Sequence, residues 1–298
     1  MKDETGIGSA AFTRRDVLRT ASLASLAAAF PGGLFAAGVS EKIRVGVIGC
    51  GGRGTGAAVD CATASPDVVI AALGDVFPDQ LEWSLGQLKQ KLAPARLTAT
   101  PETCFSGFDA WKKVLAADVD MVILAAPPFF RPQHLEAAIQ AGKHVFTEKP
   151  VAVDPLGVRS VIATSELAAK KGLAIVAGTQ RRHQAHYLEI MKRVHAGDIG
   201  ELVAGQCYWN MGALWVERAA MNWAHRVVKK WSDMEWQVRN WLFTSWASGD
   251  HIVEQHVHNL DVMNWAFGTH PVKCTGMGGR AARTEPQYGD IYDHFAVE

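Results

Sequence analysis

Four polar residues in the second half of the chain have the side chains and the spacing needed for proton transfer. His251, Glu254, His258 and Asp261 are separated by three, four and three positions, which places them on one face if residues Ser248–Gly268 form a single helix. A carboxylate can orient an imidazole, and an imidazole titrates near neutral pH. The pattern therefore predicts general acid–base chemistry.

Two other interpretations of this stripe of residues stay open. A helix can carry such side chains as a solvated polar face, and histidines and carboxylates can also bind a metal ion. His256 and His258 could chelate a metal only from a strand, and Glu254 and His258 do not form the H-E-x-x-H pattern. We therefore predict no metal site.

A lysine provides a second reactive group. The tetrapeptide Thr147–Pro150 reads Thr-Glu-Lys-Pro and follows the predicted strand His144–Thr147, at the carboxyl edge where an open α/β sheet binds its ligand. Lys149 can there reach both a nicotinamide ribose and a substrate hydroxyl, and desolvation would tune its pKa. A surface ion pair between Glu148 and Lys149 explains the same residues equally well.

These groups need a cofactor beside them, and a glycine-rich loop early in the chain predicts one. The apolar strand Ile43–Ile48 runs into a G-x-G-x-x-G turn, and a helix is predicted over Gly52–Thr63. Such a turn lets the backbone approach a pyrophosphate, and the helix directs free N–H groups at it. The alternative is an ordinary glycine turn. The cofactor-binding candidates are Gly49, Gly51, Gly52, Arg53 and Gly54.

An aspartate extends this prediction and bears on the choice of cofactor. Asp75 follows the predicted strand Val68–Leu73 and lies 21 positions after Gly54, where an acidic group accepts hydrogen bonds from an adenosine ribose. Its carboxylate would repel a 2′-phosphate, and residues 76–78 supply no cation. NAD is therefore favoured over NADP, although Arg53 in the loop leaves NADP as the less favoured alternative.

Helices and strands alternate through the first part of the chain, which predicts a doubly wound parallel sheet, that is, an NAD-binding Rossmann domain over residues 41–180. The strand Met121–Ala126 is almost purely apolar, as expected of a parallel strand buried on both faces. The other predicted elements are the helices Gln80–Leu92, His134–Ala141 and Pro155–Lys171 and the strand Leu173–Ala177.

The pattern changes after residue 180. Eight of the ten tryptophans lie between Trp209 and Trp265, and short strands such as Glu201–Asn210 replace the alternation. We predict an α+β domain over residues 181–298, with a mostly antiparallel open sheet. Its tryptophans could stack on sugar rings or fill a core or an interface. Residues 290–298 read as a strand with no turn after it, which suggests that the chain is truncated at its carboxyl end.

The first residues predict export. Arg14 and Arg15 precede a mildly apolar run, Ala21–Ala37, which Pro31 interrupts. We predict a twin-arginine signal peptide over residues 1–38, hence a periplasmic protein that meets the twin-arginine export machinery. An amphipathic helix or a membrane anchor is the alternative, but the run is short for a span. Since an export compartment offers no dependable NAD pool, the cofactor would be held tightly.

Composition limits the other possible partners and classes. The 298 residues suffice for two domains, and 30 basic residues balance 30 acidic ones, so nothing indicates a nucleic-acid partner. The five cysteines contain no C-x-x-C pair, which excludes a zinc ribbon and argues against a disulfide framework.

The chain resembles the Gfo/Idh/MocA oxidoreductases over residues 42–298. The resemblance rests on the glycine loop, on Ala125-Ala-Pro-Pro with His134, on residues 141–150 (Ala-Gly-Lys-His-Val-Phe-Thr-Glu-Lys-Pro), and on the segment Glu254–Asp261. It implies a Rossmann domain followed by an α/β domain whose open sheet forms a dimer interface, and therefore a homo-oligomer. It also implies cofactor contacts from Pro127, His134, Glu148 and Lys149.

The resemblance assigns roles to the reactive groups. Lys149 corresponds to the family's catalytic lysine and His258 to its general base, while Glu254 stands where the family has aspartate. The implied reaction is hydride transfer from a sugar or polyol carbon to NAD(P). His258 would remove the hydroxyl proton and Lys149 would stabilise the alkoxide, while Glu254 and Asp261 orient His258 or bind hydroxyls. The alternatives are a redox-neutral glycoside hydrolase or epimerase, and a non-catalytic dinucleotide-binding protein.

Overall fold

The structure, a computed structural model, describes residues 42–212 and 214–298. The predicted signal peptide lies outside these residues. Residues 42–180 contain a six-stranded parallel sheet in the order β3-β2-β1-β4-β5-β6. Its strands are β1 (Ile43–Ile48), β2 (Val68–Asp75), β3 (Cys104–Ser106), β4 (Met121–Leu124), β5 (His144–Thr147) and β6 (Ile175–Ala177). The prediction of a Rossmann fold is confirmed.

Helices cover both faces of this sheet, because the side chains of each strand point alternately to the two faces. Along β1, Val45 and Val47 face one cluster of buried residues and Ile48 faces the other, because successive side chains point to opposite faces. The first cluster includes residues of α1 (Gly52–Ala64) and α2 (Pro78–Lys91), and the second includes residues of α3 (Ala110–Ala116), α4 (Arg131–Gln140) and α5 (Pro155–Lys170). Burying each such aliphatic side chain contributes about 1.5–3 kcal/mol.

The topology places the predicted loops at one edge. The strand order reverses at β1, which pairs with β2 on one side and β4 on the other, and ligands bind at the carboxyl ends of strands at such a switch point. The glycine loop after β1, the Ala125–Pro128 loop after β4 and the Glu148–Pro150 loop after β5 all leave from this edge. Of the elements, β3 and α3 were not predicted, because both are short.

Helices dominate the rest of the described chain. They are α6 (Ala185–His195), α7 (Val216–Lys229), α8 (Asp233–Arg239), α9 (Ser245–Ser248), α10 (Asp250–Glu254) and α11 (Val257–Phe267), followed by β7 (Gly276–Gly279) paired antiparallel with β8 (His294–Val297). The predicted strand Glu201–Asn210 is wrong, since these residues form neither helix nor strand. No strand in the described part of the chain pairs with them. The boundary between two domains at residues 180 and 181 stays a prediction.

The prediction of one helix over Ser248–Gly268 is also wrong, because α10 and α11 are separate. The amides of Gln255 and His256 both donate to the carbonyl oxygen of His251, at 3.0 Å each, so the regular ladder slips at this point. Gly268 ends α11 with a φ of +66°, as predicted. His251 and Glu254 therefore lie on a different helix from His258 and Asp261.

Within residues 42–212 and 214–298, no helix has both the length and the apolar character that a membrane-spanning helix needs.

Candidate active site and dinucleotide cavity

The glycine loop has the geometry that a pyrophosphate cradle requires. Gly49 has a φ of +94°, a left-handed conformation that favours glycine. A Cβ on Gly54 would lie 1.8 Å from the carbonyl oxygen of Gly49, so α1 packs directly on the turn. Positions Gly51 and Gly52 instead face open space, with no atom within 4 Å of an added Cβ. The loop therefore leaves open space at Gly51 and Gly52, where the pyrophosphate of a dinucleotide fits.

These distances predict that alanine has different effects at Gly54 and at Gly52. We expect Gly54→Ala to lower the melting temperature and to abolish NAD binding, because the new methyl group collides with the backbone of Gly49. Gly52→Ala is the matched control and should keep the wild-type melting temperature, since its methyl group meets nothing. Thermal unfolding without nucleotide and NAD titration measure both. Equal melting temperatures for the two variants would contradict this account of the loop.

Asp75 joins the glycine loop to the end of β2. Its Oδ2 accepts a hydrogen bond from the amide of Cys50 at 2.7 Å, and its Oδ1 accepts one from the amide of Phe77 at 2.9 Å. Burial raises the pKa of the carboxyl, while these two amides lower it. Each oxygen keeps a further lone pair for a ribose hydroxyl.

A cavity of about 350 Å³ lies beside Asp75. Its lining includes five of the predicted cofactor residues: Gly49, Gly51, Asp75, Pro127 and His134. The other five, Gly52, Arg53, Gly54, Glu148 and Lys149, are not part of that lining. Five lining residues come from beyond the parallel sheet, namely Arg218, Asn222, Val238, Arg239 and Trp241. Its position next to Asp75 makes this cavity the candidate for the adenosine end of the dinucleotide site.

Arg131 holds the loops at this edge and was not predicted. Its guanidinium donates to the carbonyl oxygen of Ala126 at 2.6 Å and also to that of Pro150, so it ties the loop after β4 to the loop after β5. Burial lowers its pKa to about 10. Burial, together with this nearby cation, lowers the pKa of His134 to about 4, so His134 lines the cavity as a neutral ring.

Glu148 and Lys149 are adjacent in sequence but have different partners. Glu148 Oε1 lies 2.8 Å from Arg53 Nε in the glycine loop. Lys149 Nζ lies 2.6 Å from Glu254 Oε1 and donates to the carbonyl oxygen of Glu254, also at 2.6 Å. The side chains of Lys149 and Glu254 are only 14% and 10% exposed. The alternative of a surface ion pair between Glu148 and Lys149 therefore does not describe this structure.

His258 lies near this buried pair. Burial, together with the positive charges of Lys149 and Arg181, lowers its pKa to about 4, and the negative charge of Asp261 opposes this shift. The imidazole is therefore neutral at neutral pH and able to accept a proton. The ring of Trp209 stacks on it with a centroid distance of 6.0 Å. The structure thus brings Lys149, Glu254 and His258 together.

Asp261 has a different neighbour from the one expected. Both of its carboxylate oxygens accept hydrogen bonds from Arg182, at 2.9–3.0 Å. Arg182 was not predicted; the available signal was its position shortly after β6, in the Gln-Arg-Arg-His segment at 180–183. His251 makes its contact with His256, 3.2 Å between ring nitrogens, and not with the residues around Lys149.

Comparison with known proteins gives a family match for the first part of the chain. Residues 43–179 match the family model GFO_IDH_MocA, described as an oxidoreductase family with an NAD-binding Rossmann fold. A glycosyl hydrolase family 109 protein of Solibacter usitatus is 31% identical over 210 residues, which cover 66% of this chain and 46% of that protein. An inositol 2-dehydrogenase 4 of Saccharopolyspora erythraea is 30% identical over 168 residues, covering 56% and 45% respectively. The chain therefore spans less than half the length of these curated relatives.

Solved structures share the fold. Scyllo-inositol dehydrogenase from Lactobacillus casei, solved with NAD(H) and scyllo-inositol, superposes with a TM-score of 0.62 at 24% identity, covering 86% of this chain and 65% of that one. Aldose-aldose oxidoreductase from Caulobacter crescentus gives 0.60 at 19% identity, covering 86% and 66%. At these identities the likeness concerns the fold alone.

Proposed function

We propose that this chain, whose residues 43–179 match the NAD-binding Rossmann model of the Gfo/Idh/MocA oxidoreductases, is a member of that family and oxidises a hydroxyl group of a sugar or polyol. The observation that carries the proposal is the group formed by Lys149 and a neutral His258 at the carboxyl edge of the parallel sheet. A base and a cation beside a dinucleotide site are the two protein groups that alcohol oxidation needs.

Each residue has a separate task in this reaction. NAD supplies the hydride acceptor. His258 accepts the proton of the hydroxyl group, which its lowered pKa allows because the ring is neutral before the reaction. The ammonium group of Lys149 stabilises the negative charge that develops on the same oxygen. Glu254 fixes Lys149 through two contacts, and Arg182 donates hydrogen bonds to Asp261.

The names of the relatives and the surroundings of His258 support the substrate class. Relatives named inositol 2-dehydrogenase act, by name, on a cyclic polyol. Trp209 on the ring of His258 offers an apolar face of the kind on which the C–H face of a sugar ring can pack.

A second candidate reaction is redox-neutral, and relatives named glycosyl hydrolase family 109 favour it. In this reaction a transient oxidation would acidify the neighbouring C–H bond, the leaving group would be eliminated, water would add to the resulting double bond, and the hydride would return to the carbonyl carbon. The same Lys149 and His258 would serve both reactions. No net NADH forms in this one.

The experiment that tests the proposal begins with protein purified from its export compartment without added nucleotide. Denaturation followed by chromatography identifies any released dinucleotide, and we expect NAD. The holoenzyme is then incubated with inositols, aldoses and aryl glycosides. Reduction of the bound cofactor by a polyol supports the oxidoreductase, and glycoside release without net NADH supports the second candidate. Protein that neither contains nor binds NAD would contradict both.

We also propose that the protein is exported through the twin-arginine route to the periplasm and works as a homo-oligomer. Arg14 and Arg15, followed by the weakly apolar run Ala21–Ala37, support the first. Exposed apolar side chains after residue 200, among them Val203 and Val228, support the second. In the periplasm, NAD would stay bound through the catalytic cycle.

A further inference from the structure

A helical segment from outside the parallel sheet closes the adenosine cavity. It consists of α7, α8 and the turn Trp241–Phe243, and we call residues 216–243 the cap. The cap residues that line the cavity are Arg218, Asn222, Val238, Arg239 and Trp241. Asp75 and the glycine loop line the same cavity. Adenosine bound beside Asp75 would therefore lie between the Rossmann edge and the cap.

The cap is held together internally. The side-chain amide of Asn222 in α7 donates to the carbonyl oxygen of Arg239 at the end of α8, at 3.2 Å. The rings of Trp223 and Trp236 meet edge to face at 5.6 Å, and the guanidinium of Arg226 lies 4.5 Å from the centroid of Trp236. Such contacts let α7 and α8 move as one body.

One side chain makes the polar connection between the cap and the Rossmann sheet. Arg239 donates from Nη1 and Nη2 to the two carboxylate oxygens of Asp79, both at 2.9 Å. Its guanidinium also lies 3.8 Å from the ring centroid of Phe77, and Phe77 donates its amide to Asp75. Among the described residues, no other hydrogen bond or ion pair joins a cap side chain to residues 42–180.

The two ends of this connection differ in exposure. The side chain of Arg239 is 13% exposed and that of Asp79 is 57% exposed, and the guanidinium holds the pKa of Asp79 below its usual value. Asp79 does not line the cavity. Its contact with the cavity lining runs through Arg239, and its charge also raises the pKa of Asp75. Asp79 is therefore a positioning residue, and replacing it tests the connection.

We propose that the ion pair between Arg239 and Asp79 is a latch that keeps the cap closed over NAD and sets the rate at which NAD enters and leaves. This inference rests on NAD binding by the Rossmann domain and not on the identity of the substrate. Because the cap lines the cavity that adenosine would occupy, opening of the cap widens the path of exchange, and the bidentate pair breaks in that step. NAD is thus retained tightly because the cap opens slowly.

The test uses full-length protein freed of nucleotide and measures NADH binding by stopped-flow fluorescence. We expect Asp79→Ala to raise both the association and the dissociation rate constants about tenfold or more, with a smaller change in Kd. A simple lost contact would raise the dissociation rate constant alone. Asp79→Asn, which keeps the shape of the side chain, should give the same direction of change. Glu189→Ala removes the partner of Arg193 in an exposed ion pair and should leave both rate constants unchanged.

Ionic strength provides a second readout. An exposed ion pair weakens as salt screens it, so NADH dissociation from the wild type should accelerate with salt, whereas that from Asp79→Ala should not. The proposal is overturned if Asp79→Ala leaves both rate constants within twofold of the wild type, or raises only the dissociation rate constant. Wild-type protein that binds no NADH would overturn it as well. None of these readouts involves a sugar, so they do not depend on the proposed reaction.

Discussion

Replacing Lys149 by methionine should lower turnover by roughly 10²–10³-fold or more while NAD stays bound. Methionine keeps the length of the side chain and removes the charge that would stabilise the alkoxide. The glycine loop, Asp75 and the adenosine cavity do not involve Lys149, so the cofactor should still purify with the protein. Turnover with the best polyol substrate and the NAD content of the purified variant are the measurements.

The controls separate chemistry from folding. Lys149→Met leaves the carboxylate of Glu254 buried beside an apolar side chain, which costs about 3–5 kcal/mol when one partner of a buried pair is removed. The double variant with Glu254→Gln should recover most of that stability without recovering turnover. If the double variant turns over like the wild type, Lys149 acts only as the structural partner of Glu254.

Replacing His258 by asparagine should lower turnover by about 10²–10⁴-fold, the range expected when a general base is removed. His256→Asn is the matched control, because the ring of His256 contacts His251, whereas Lys149 contacts Glu254 and Gln255. We expect the control to retain at least half of the wild-type turnover. Single-turnover reduction of bound NAD is the measurement, since it isolates the chemical step from product release.

The pH dependence of the wild type tests the same assignment. A base with a pKa of about 4 is deprotonated, and hence active, at every pH well above 4. We therefore expect kcat/KM to stay level as the pH falls from 7 to 5 and to drop only as it approaches 4. In Lys149→Met the pKa of His258 should rise, because a positive neighbour is lost, and NMR of labelled histidine can follow it. An acid limb near pH 6.5 in the wild type would contradict this environment for His258.

The sequence by itself determined the Rossmann half of the protein. The strand before the glycine loop, the loop itself and Asp75 follow one another within a short stretch, and each depends on a local property: alternation, a positive φ at Gly49, or the end of a strand. Parallel strands meet the ligand at their carboxyl ends, so the strand His144–Thr147 was enough to place Lys149 at the right edge.

Predictions of secondary structure from local sequence patterns failed where the structure depends on contacts with distant residues. Residues 201–210 are rich in apolar side chains, yet a strand also needs a neighbour to complete its hydrogen bonds, and none is present in the described part of the chain. The stripe from His251 to Asp261 has helical spacing, yet the backbone slips at Gln255 and His256 and divides it between two helices. Spacing assumes an unbroken ladder, and a single shifted hydrogen bond changes which side chains share a face.

Only the tertiary structure decided which charges pair and what covers the cofactor. Lys149 binds Glu254, which lies 105 positions away, rather than its neighbour Glu148, and Asp261 binds Arg182. Arg239 comes from 160 positions away to hold the cap on Asp79. Charged side chains that are buried must find a partner within hydrogen-bonding distance, and packing of the whole chain selects that partner. The sequence could therefore name the reactive residues, whereas their protonation and their enclosure follow from the folded arrangement.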